Sequence, residues 1–325
     1  MPILSAAHGV SSTIFSNLFI DLPYPAGGDL SGQTVIVTGA NTGLGLECSR
    51  HLVRLGVQKL IMGVRNLDKG AKAKQDILAS TQKEESCIEV WPIEMASYAS
   101  VQDFAARAAG LPRLDVLVAN AGLMTTDFSI YEDNETTITV NVVNTLLLCL
   151  LLLPKMRQSA AQSNVLPRIV IPNSALHYLA PLKELEGDIF ANLNSPKTAD
   201  MASRYPLSKL LIIYAIRELA SRVDYVAINT PNPSFCKSGL VGEDPGFGTK
   251  LFEKVLARST EMGSRALVHG ALSGKESHGQ YLTNCHVQIP SSSVTNAKGA
   301  RIQKAFFDQL VEKLERIVPG VMSRI

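Results

Sequence analysis

The sequence has no CxxC pair, no internal repeat, no low-complexity tract and almost no net charge. Its five cysteines, Cys48, Cys87, Cys149, Cys236 and Cys285, are dispersed. An odd, scattered set supplies neither a disulfide framework nor a zinc site, and it suits a reducing compartment, the cytoplasm. His278, Cys285 and His286 lack metal-ligand spacing. With 31 basic and 29 acidic side chains the formal charge is +2. That balance argues against nonspecific nucleic-acid binding, which rests on a basic excess. The longest unbroken aliphatic run, 146–153 with Cys149 inside it, is too short for a bilayer, which needs about 20 residues. The N-terminus has neither a positive n-region nor a cleavage-site pattern, so it does not read as a secretory signal. Without such a signal, the glycosylation match at Asn134-Glu135-Thr136 carries no meaning.

What is present is a long alternation. Residues 1–31 read as an N-terminal extension ending in a turn-rich stretch. From residue 32 to 325, short apolar β-branched runs alternate with helical patterns. Strands are expected at 34–38, 59–64, 88–93, 115–120, 168–171 and 225–229, with a seventh at 280–283. Helices are expected at 43–56, 66–80, 98–109, 133–158, 203–222, 249–257, 261–273 and 296–317. The strands are nearly all apolar, as a parallel sheet covered on both faces requires. The fold class that follows is α/β: one doubly wound Rossmann domain around a central, mostly parallel seven-stranded sheet. The polar, poorly periodic stretch at about 179–201 reads as a surface excursion.

The first strand runs into Thr38-Gly39-Ala40-Asn41-Thr42-Gly43-Leu44-Gly45, which opens the first helix of the domain. Gly39 permits a tight turn. Gly43 and Gly45, without side chains, let a dinucleotide pyrophosphate approach the backbone, and the helix N-terminus supplies amide donors. A glycine-rich turn without a ligand is the alternative, and the strand–helix flanks argue against it. The second strand tests the nucleotide. An acid about 20 residues past the glycines would hold the ribose hydroxyls of NAD. The chain has Val64 there, then Arg65, with Lys69 nearby. A guanidinium pairs well with a 2′-phosphate, so NADP is the expected cofactor; a solvated loop arginine is the plainer reading of Arg65.

Tyr205-Pro206-Leu207-Ser208-Lys209 sits in a helical pattern, and a spacing of four puts the phenol and the ammonium on one face. A free tyrosine has a pKa of about 10, and a neighbouring cation lowers it toward useful proton exchange. The motif alone is common by chance. Its setting is more specific: Asn120-Ala121-Gly122 ends the fourth strand, Asn141 lies in a helix, Ser174 follows the fifth strand, and Pro233 to Ser238 follows the sixth.

These residues, in this order, make the chain resemble the short-chain dehydrogenase/reductase superfamily from about Gly32 to its end, and within it the NADP-using, retinol-dehydrogenase-like reductases, many of them fungal. The resemblance implies that Tyr205 exchanges the proton, Lys209 tunes it and binds the nicotinamide ribose, Ser174 orients the substrate oxygen, and Asn141 holds a relay water. Asn120, Ala121 and Gly122 would lie along the cofactor, Glu94 and Met95 near the adenine, and Pro233 and Ser238 near the carboxamide. Several residues depart from the usual pattern. Glu94 stands for the shorter acid, Asn173 precedes Ser174 where serine is common, Ser234 replaces a frequent glycine, and Ser238 a frequent threonine. The excursion at 179–201 becomes an insertion on the substrate side.

The activity expected is NADP(H)-dependent interconversion of a carbonyl and an alcohol, running as reduction of an apolar ketone or aldehyde, a secondary metabolite or a lipid-like compound. Dehydration, epimerisation or cyclisation on the same fold, or nonenzymatic NADP sensing, are the rivals. His177, three residues past Ser174, is either solvated or in contact with substrate. The helix holding 146–153 is apolar all round, so one side should cover the sheet and the other is offered to a partner subunit in a homodimer. The apolar N-terminal residues Ile14, Phe15, Leu18 and Phe19 have three possible places: on the core, over the substrate pocket, or against a membrane. Core packing is the default.

Overall fold

A computed structural model describes residues 2–25, 27–237 and 257–325. Helix α1 (Pro2–Phe19) comes first. Little in the sequence announces it: the segment has no charged end and carries four serines and a glycine. Then strand and helix alternate through β1 (Thr34–Thr38), α2 (Gly43–Arg54), β2 (Lys59–Val64), α3 (Leu67–Thr81), β3 (Ile88–Pro92), α4 (Tyr98–Ala109), β4 (Val116–Val118), α5 (Thr136–Ser163), β5 (Arg168–Val170), α6 (Met201–Ala220), β6 (Ala227–Asn232), α7 (Thr260–Leu272), β7 (Gln280–Thr283), β8 (His286–Gln288) and α8 (Ala297–Ile317). The helix expected at 249–257 falls, but for its last residue, outside the described residues.

The sheet runs β8-β7-β6-β5-β4-β1-β2-β3. Among the described residues, seven strands are parallel and β8 is antiparallel to its neighbour. The eighth strand corrects the expected seven. Asn284 and Cys285 both take left-handed backbone, at φ 49° and 63°. Two such residues turn a chain tightly back on itself. The signal was weak because the turn is Asn-Cys rather than Asn-Gly and the strand it adds is three exposed residues. Strand β6 also runs beyond its expected end, through Pro231, a residue that argues against a central strand.

Alternate side chains of one strand feed two separate cores. Val35 and Val37 of β1 pack with Leu52 of α2, Ile77 of α3 and Leu267 of α7. Ile36 packs on the other face with Phe104 of α4, Leu147 of α5 and Leu211 of α6. Both faces of the sheet are thus dry, which is why its strands could be unbroken apolar runs. Truncating a leucine to alanine in either core should cost about 2–5 kcal/mol.

Helix α5 is by length and composition able to cross a membrane, with a mean hydropathy of 2.0 over its most apolar stretch, yet 94% of that stretch is buried inside the fold. It is a core helix. One flank of the helix packs on the chain itself. Phe307, Leu310 and Leu314 of α8, with Met322 behind them, face Leu146 and Leu150 across an apolar gap. Asn134 is wholly buried, and its amide donates to the Tyr98 hydroxyl at 2.7 Å, so the glycosylation match has no access to solvent.

Candidate active site

The C-terminal ends of β1 and β4 meet in a stitched crevice. The Asn120 amide donates to the Thr38 carbonyl at 3.0 Å and to that of Gly39 at 3.4 Å, and the Ala121 N–H donates to Thr38 Oγ1 at 3.0 Å. Asn120 therefore spends its amide on the shape of the turn. Gly39 has φ +64°, which glycine adopts without strain. A Cβ on Gly45 would collide with the Gly39 carbonyl oxygen and the Asn120 amide. At Gly43 a Cβ would meet nothing within 4 Å, so the turn is closed beneath and open above. Thr42 caps α2 without a side-chain hydrogen bond, leaving the first amides of that helix uncovered by any cap. An open glycine turn at an uncapped helix N-terminus fits a dinucleotide pyrophosphate. Asn41 and Leu44 lie in the same turn, Leu44 partly buried against the α2 core. Gly122 closes the far side, where a Cβ would sit 3.2 Å from Asn141 Oδ1.

At the end of β2, Arg65 is 81% exposed, and its Nε stands 3.9 Å from Glu94 Oε2. Asn66 caps α3 by accepting the Lys69 N–H at 2.8 Å, and Lys69 is exposed. Glu94 also accepts the Ala96 N–H at 3.0 Å. Met95 turns its side chain into the core, and its carbonyl accepts from Asn144 at 2.8 Å. Of the two, Glu94 is the side chain still facing the nucleotide end.

The chemical end is built on α6, whose N-terminus Asp200 caps through the Ser203 N–H. Tyr205 and Lys209 share one face, with the Lys209 ammonium 5.3 Å from the Tyr205 ring centroid. That ammonium donates to the Pro172 carbonyl at 2.8 Å. Asn173 ties the same strand end to the helix: its amide donates to the Lys209 carbonyl at 3.1 Å and to Thr230 Oγ1 at 3.0 Å, while its Oδ1 accepts the Ser174 N–H at 2.8 Å. Ser174 Oγ accepts the Leu176 N–H at 3.2 Å, heading a short helical turn over 175–179. Asn141 lies where α5 widens into a π-helix over Thr139–Asn144, a local unwinding often found at functional sites. Its side chain bonds Leu123 both ways, at 2.9 and 2.8 Å, and donates to Ser208 Oγ at 3.2 Å; Ser208 donates in turn to the Tyr205 carbonyl at 2.8 Å. In the sequence Asn173 stood out only as a departure from a serine motif, and Ser208 did not stand out. Their roles had no signal but position, one beside Ser174 and the other beside Lys209.

The expected lowering of the phenol is not what this geometry gives. Burial raises the Tyr205 hydroxyl above its ordinary value, and the Cys236 thiol adds to the rise. Burial also pulls the Lys209 ammonium down, to about 8. At neutral pH the pair is a protonated phenol beside a mostly charged lysine. His177 is neither solvated nor free for substrate. It is fully buried, accepts the Ser291 N–H through Nε2 at 3.1 Å and meets the Ser174 carbonyl through Nδ1 at 2.8 Å. With Nε2 accepting, Nδ1 carries the proton, and the ring is neutral. Burial holds its pKa down at about 4. Pro233 opens the loop leaving β6, and its carbonyl accepts from Cys236 Sγ at 3.3 Å. Ser238 lies outside the described residues.

The strand order, the glycine turn at the β1–α2 switch and the Tyr–Lys helix define a dinucleotide-fold oxidoreductase. The short chain dehydrogenase model matches residues 33–167. A short chain dehydrogenase/reductase of Cryptosporiopsis sp. is 44% identical over 95% of this chain and 98% of its own length. A short chain dehydrogenase of Emericella nidulans is 42% identical over 83% of this chain and 90% of its own. The chain belongs to the short-chain dehydrogenase/reductase family. Among solved structures, the NADPH-bound carbonyl reductase from chicken fatty liver shares the fold with a TM-score of 0.60 and 20% identity, covering 80% of this chain and all of its own. A 3-oxoacyl (acyl-carrier-protein) reductase from Agrobacterium tumefaciens with NADP bound has a TM-score of 0.60 and 20% identity, over 79% of this chain and 95% of its own.

Proposed function

We propose that the protein is an NADP(H)-dependent reductase of a ketone or aldehyde, with Tyr205 as proton donor. The observation that carries the reading is the Tyr205–Lys209 pair, held through Pro172 and Asn173 to the strand end that bears Ser174. The bound nicotinamide supplies the hydride. Gly39, Asn41, Gly43, Leu44 and Gly45 shape the pyrophosphate seat, and the exposed Arg65 with Lys69 receives the 2′-phosphate. Ser174 donates its hydroxyl to the carbonyl oxygen and stabilises the charge that develops there. Tyr205 gives its proton to that oxygen. At neutral pH the phenol holds its proton, as a donor in the reductive direction must. The Lys209 charge faces the phenolate that forms, and Asn141 with Ser208 holds the helix backbone at Tyr205. The substrate is small and apolar, and the five free cysteines suit a cytoplasmic setting.

The test is Tyr205→Phe assayed with NADPH against a panel of aryl and alkyl ketones and aldehydes. The ring stays and the proton goes, so turnover should fall by at least about a thousandfold with nucleotide affinity kept. Near-wild-type turnover would remove Tyr205 from the chemistry. Product formation without NADPH oxidation would replace reduction with a non-redox reaction.

A further inference from the structure

We propose that Asn17, on the N-terminal helix, is a positioning residue for the loop beside the nicotinamide, and that α1 is part of the catalytic unit. This rests on the oxidoreductase reading above and on the family resemblance, which implies that the carboxamide lies near Pro233, at the start of the loop leaving β6.

That loop carries a strained residue. Ser234 has φ +66°, in the left-handed region that glycine enters freely and serine does not. The Ser234 N–H is fixed to Asn232 Oδ1 at 2.9 Å. Its hydroxyl donates to Asn17 Oδ1 at 2.5 Å, and the Asn17 amide donates to the Phe235 carbonyl at 2.7 Å. One asparagine thus grips two successive residues of the loop. A glycine at 234 would relax the backbone and lose the grip. The chain keeps the hydroxyl at the cost of strain, and such strain persists only where its surroundings enforce it.

The helix bearing Asn17 is itself anchored at both ends of the site. Arg258, 6% exposed, sends Nη2 to the carbonyls of Ser16 and Ile20 at 2.7 and 2.8 Å. A cation suits that end of a helix, where the dipole is negative. The Arg258 N–H donates to the same Phe235 carbonyl at 2.9 Å, and Asn284 donates to Ser16 Oγ at 2.7 Å. Toward its other end α1 lies on the turn after Ser174. A Cβ on the buried Gly9 would stand 2.7 Å from Tyr178 Cβ. Helix α1 therefore spans from the segment following the substrate-facing serine to the loop at the nicotinamide. Releasing Asn17 from Ser234 frees the loop and loosens the nicotinamide half of the cofactor. The adenine half, seated on β1, α2 and β2, is untouched.

Calorimetric titration of the full chain decides the matter, with Asn17→Ala, Ser234→Ala and the double variant beside the wild type. The ligands are NADPH and 2′,5′-ADP, which lacks the nicotinamide; NADH and ADP are titrated in parallel. Each single variant should weaken NADPH by about fivefold to tenfold, one hydrogen bond's worth. The double variant should lose no more than the weaker single, because the two groups act as one latch. Affinity for 2′,5′-ADP should be the same in all four proteins. Unchanged NADPH affinity in the single variants, additive losses, or parallel loss of 2′,5′-ADP would each overturn the proposal. A wild type that binds neither NADPH nor NADH would defeat the oxidoreductase reading and this one with it. A wild type that binds while the variants match it would defeat only the latch.

Discussion

Asn173 and Lys209 hold each other's chain in place. The Asn173 side chain donates to the Lys209 backbone carbonyl at 3.1 Å, and the Lys209 ammonium returns to the carbonyl just before Asn173, that of Pro172, at 2.8 Å. The clasp joins strand end to helix at the point where the serine and the tyrosine must share one substrate oxygen. Cutting it with Asn173→Ala leaves the Ser174 N–H and two further groups without their partner. Stability should fall by about 1–3 kcal/mol. Turnover should fall about tenfold or more, since misplacing reacting groups by an ångström has effects of that size. Urea unfolding and steady-state rates measure the two losses; a stable, fully active variant would show that the clasp is dispensable.

The lysine sets a pH limb. Its ammonium is charged below a pKa of about 8 and neutral above it. The charged form faces the phenolate left by proton donation, so the reduction rate should decline as pH rises through about 8. Lys209→Arg keeps its charge over the whole range, and whatever activity that variant retains should lose this limb. A limb at the same pH in the arginine variant would assign it to another group.

Arg65 is the proposed 2′-phosphate contact. Arg65→Ala should weaken NADPH by about tenfold or more, the worth of a charged hydrogen bond, and leave NADH within about twofold. Fluorescence titration with both nucleotides measures the ratio. Equal losses would leave Arg65 as a solvated loop residue paired to Glu94.

His177 should make the fold sensitive to acid. Its ring is buried neutral, with a pKa of about 4 against 6.5 when unhindered. Below pH 6.5 the unfolded chain takes up a proton that the folded chain refuses. Stability is therefore full above pH 6.5 and drains away as pH falls toward 4, by up to about 3 kcal/mol from this one group. Denaturant melts at stepped pH should show the loss in the wild type and a flatter profile in His177→Gln. Equal slopes in both proteins would mean that carboxylates carry the whole effect.

The alternation of strands, the glycine turn and the Tyr–Lys pair were legible in the sequence because each is local. A buried parallel strand must be an apolar run, a dinucleotide turn must have glycines at fixed offsets, and two groups on one helix face must be four apart. Other features depend on residues that meet only when the chain is folded. Asn17 lies far from Ser234 along the chain, and neither has a neighbour that announces the contact. Asn173 looked like a substitution in a serine motif, with no hint that it would bond to the α6 backbone. The lysine's effect on the tyrosine also misled. Spacing predicts attraction between ammonium and phenolate, while burial, which spacing cannot report, turns the phenol's pKa upward.

The placement of α8 over α5 bears on how the polypeptide matures. Leu146 and Leu150 are synthesised well before Phe307, Leu310, Leu314 and Met322, the side chains that shield them. Until those side chains have been made, this apolar flank of α5 lacks its cover. Domains assembled during translation are exposed to misassociation at such stages. The flank of α5 is closed by side chains from far along the chain, so the helix cannot finish packing until they have joined it.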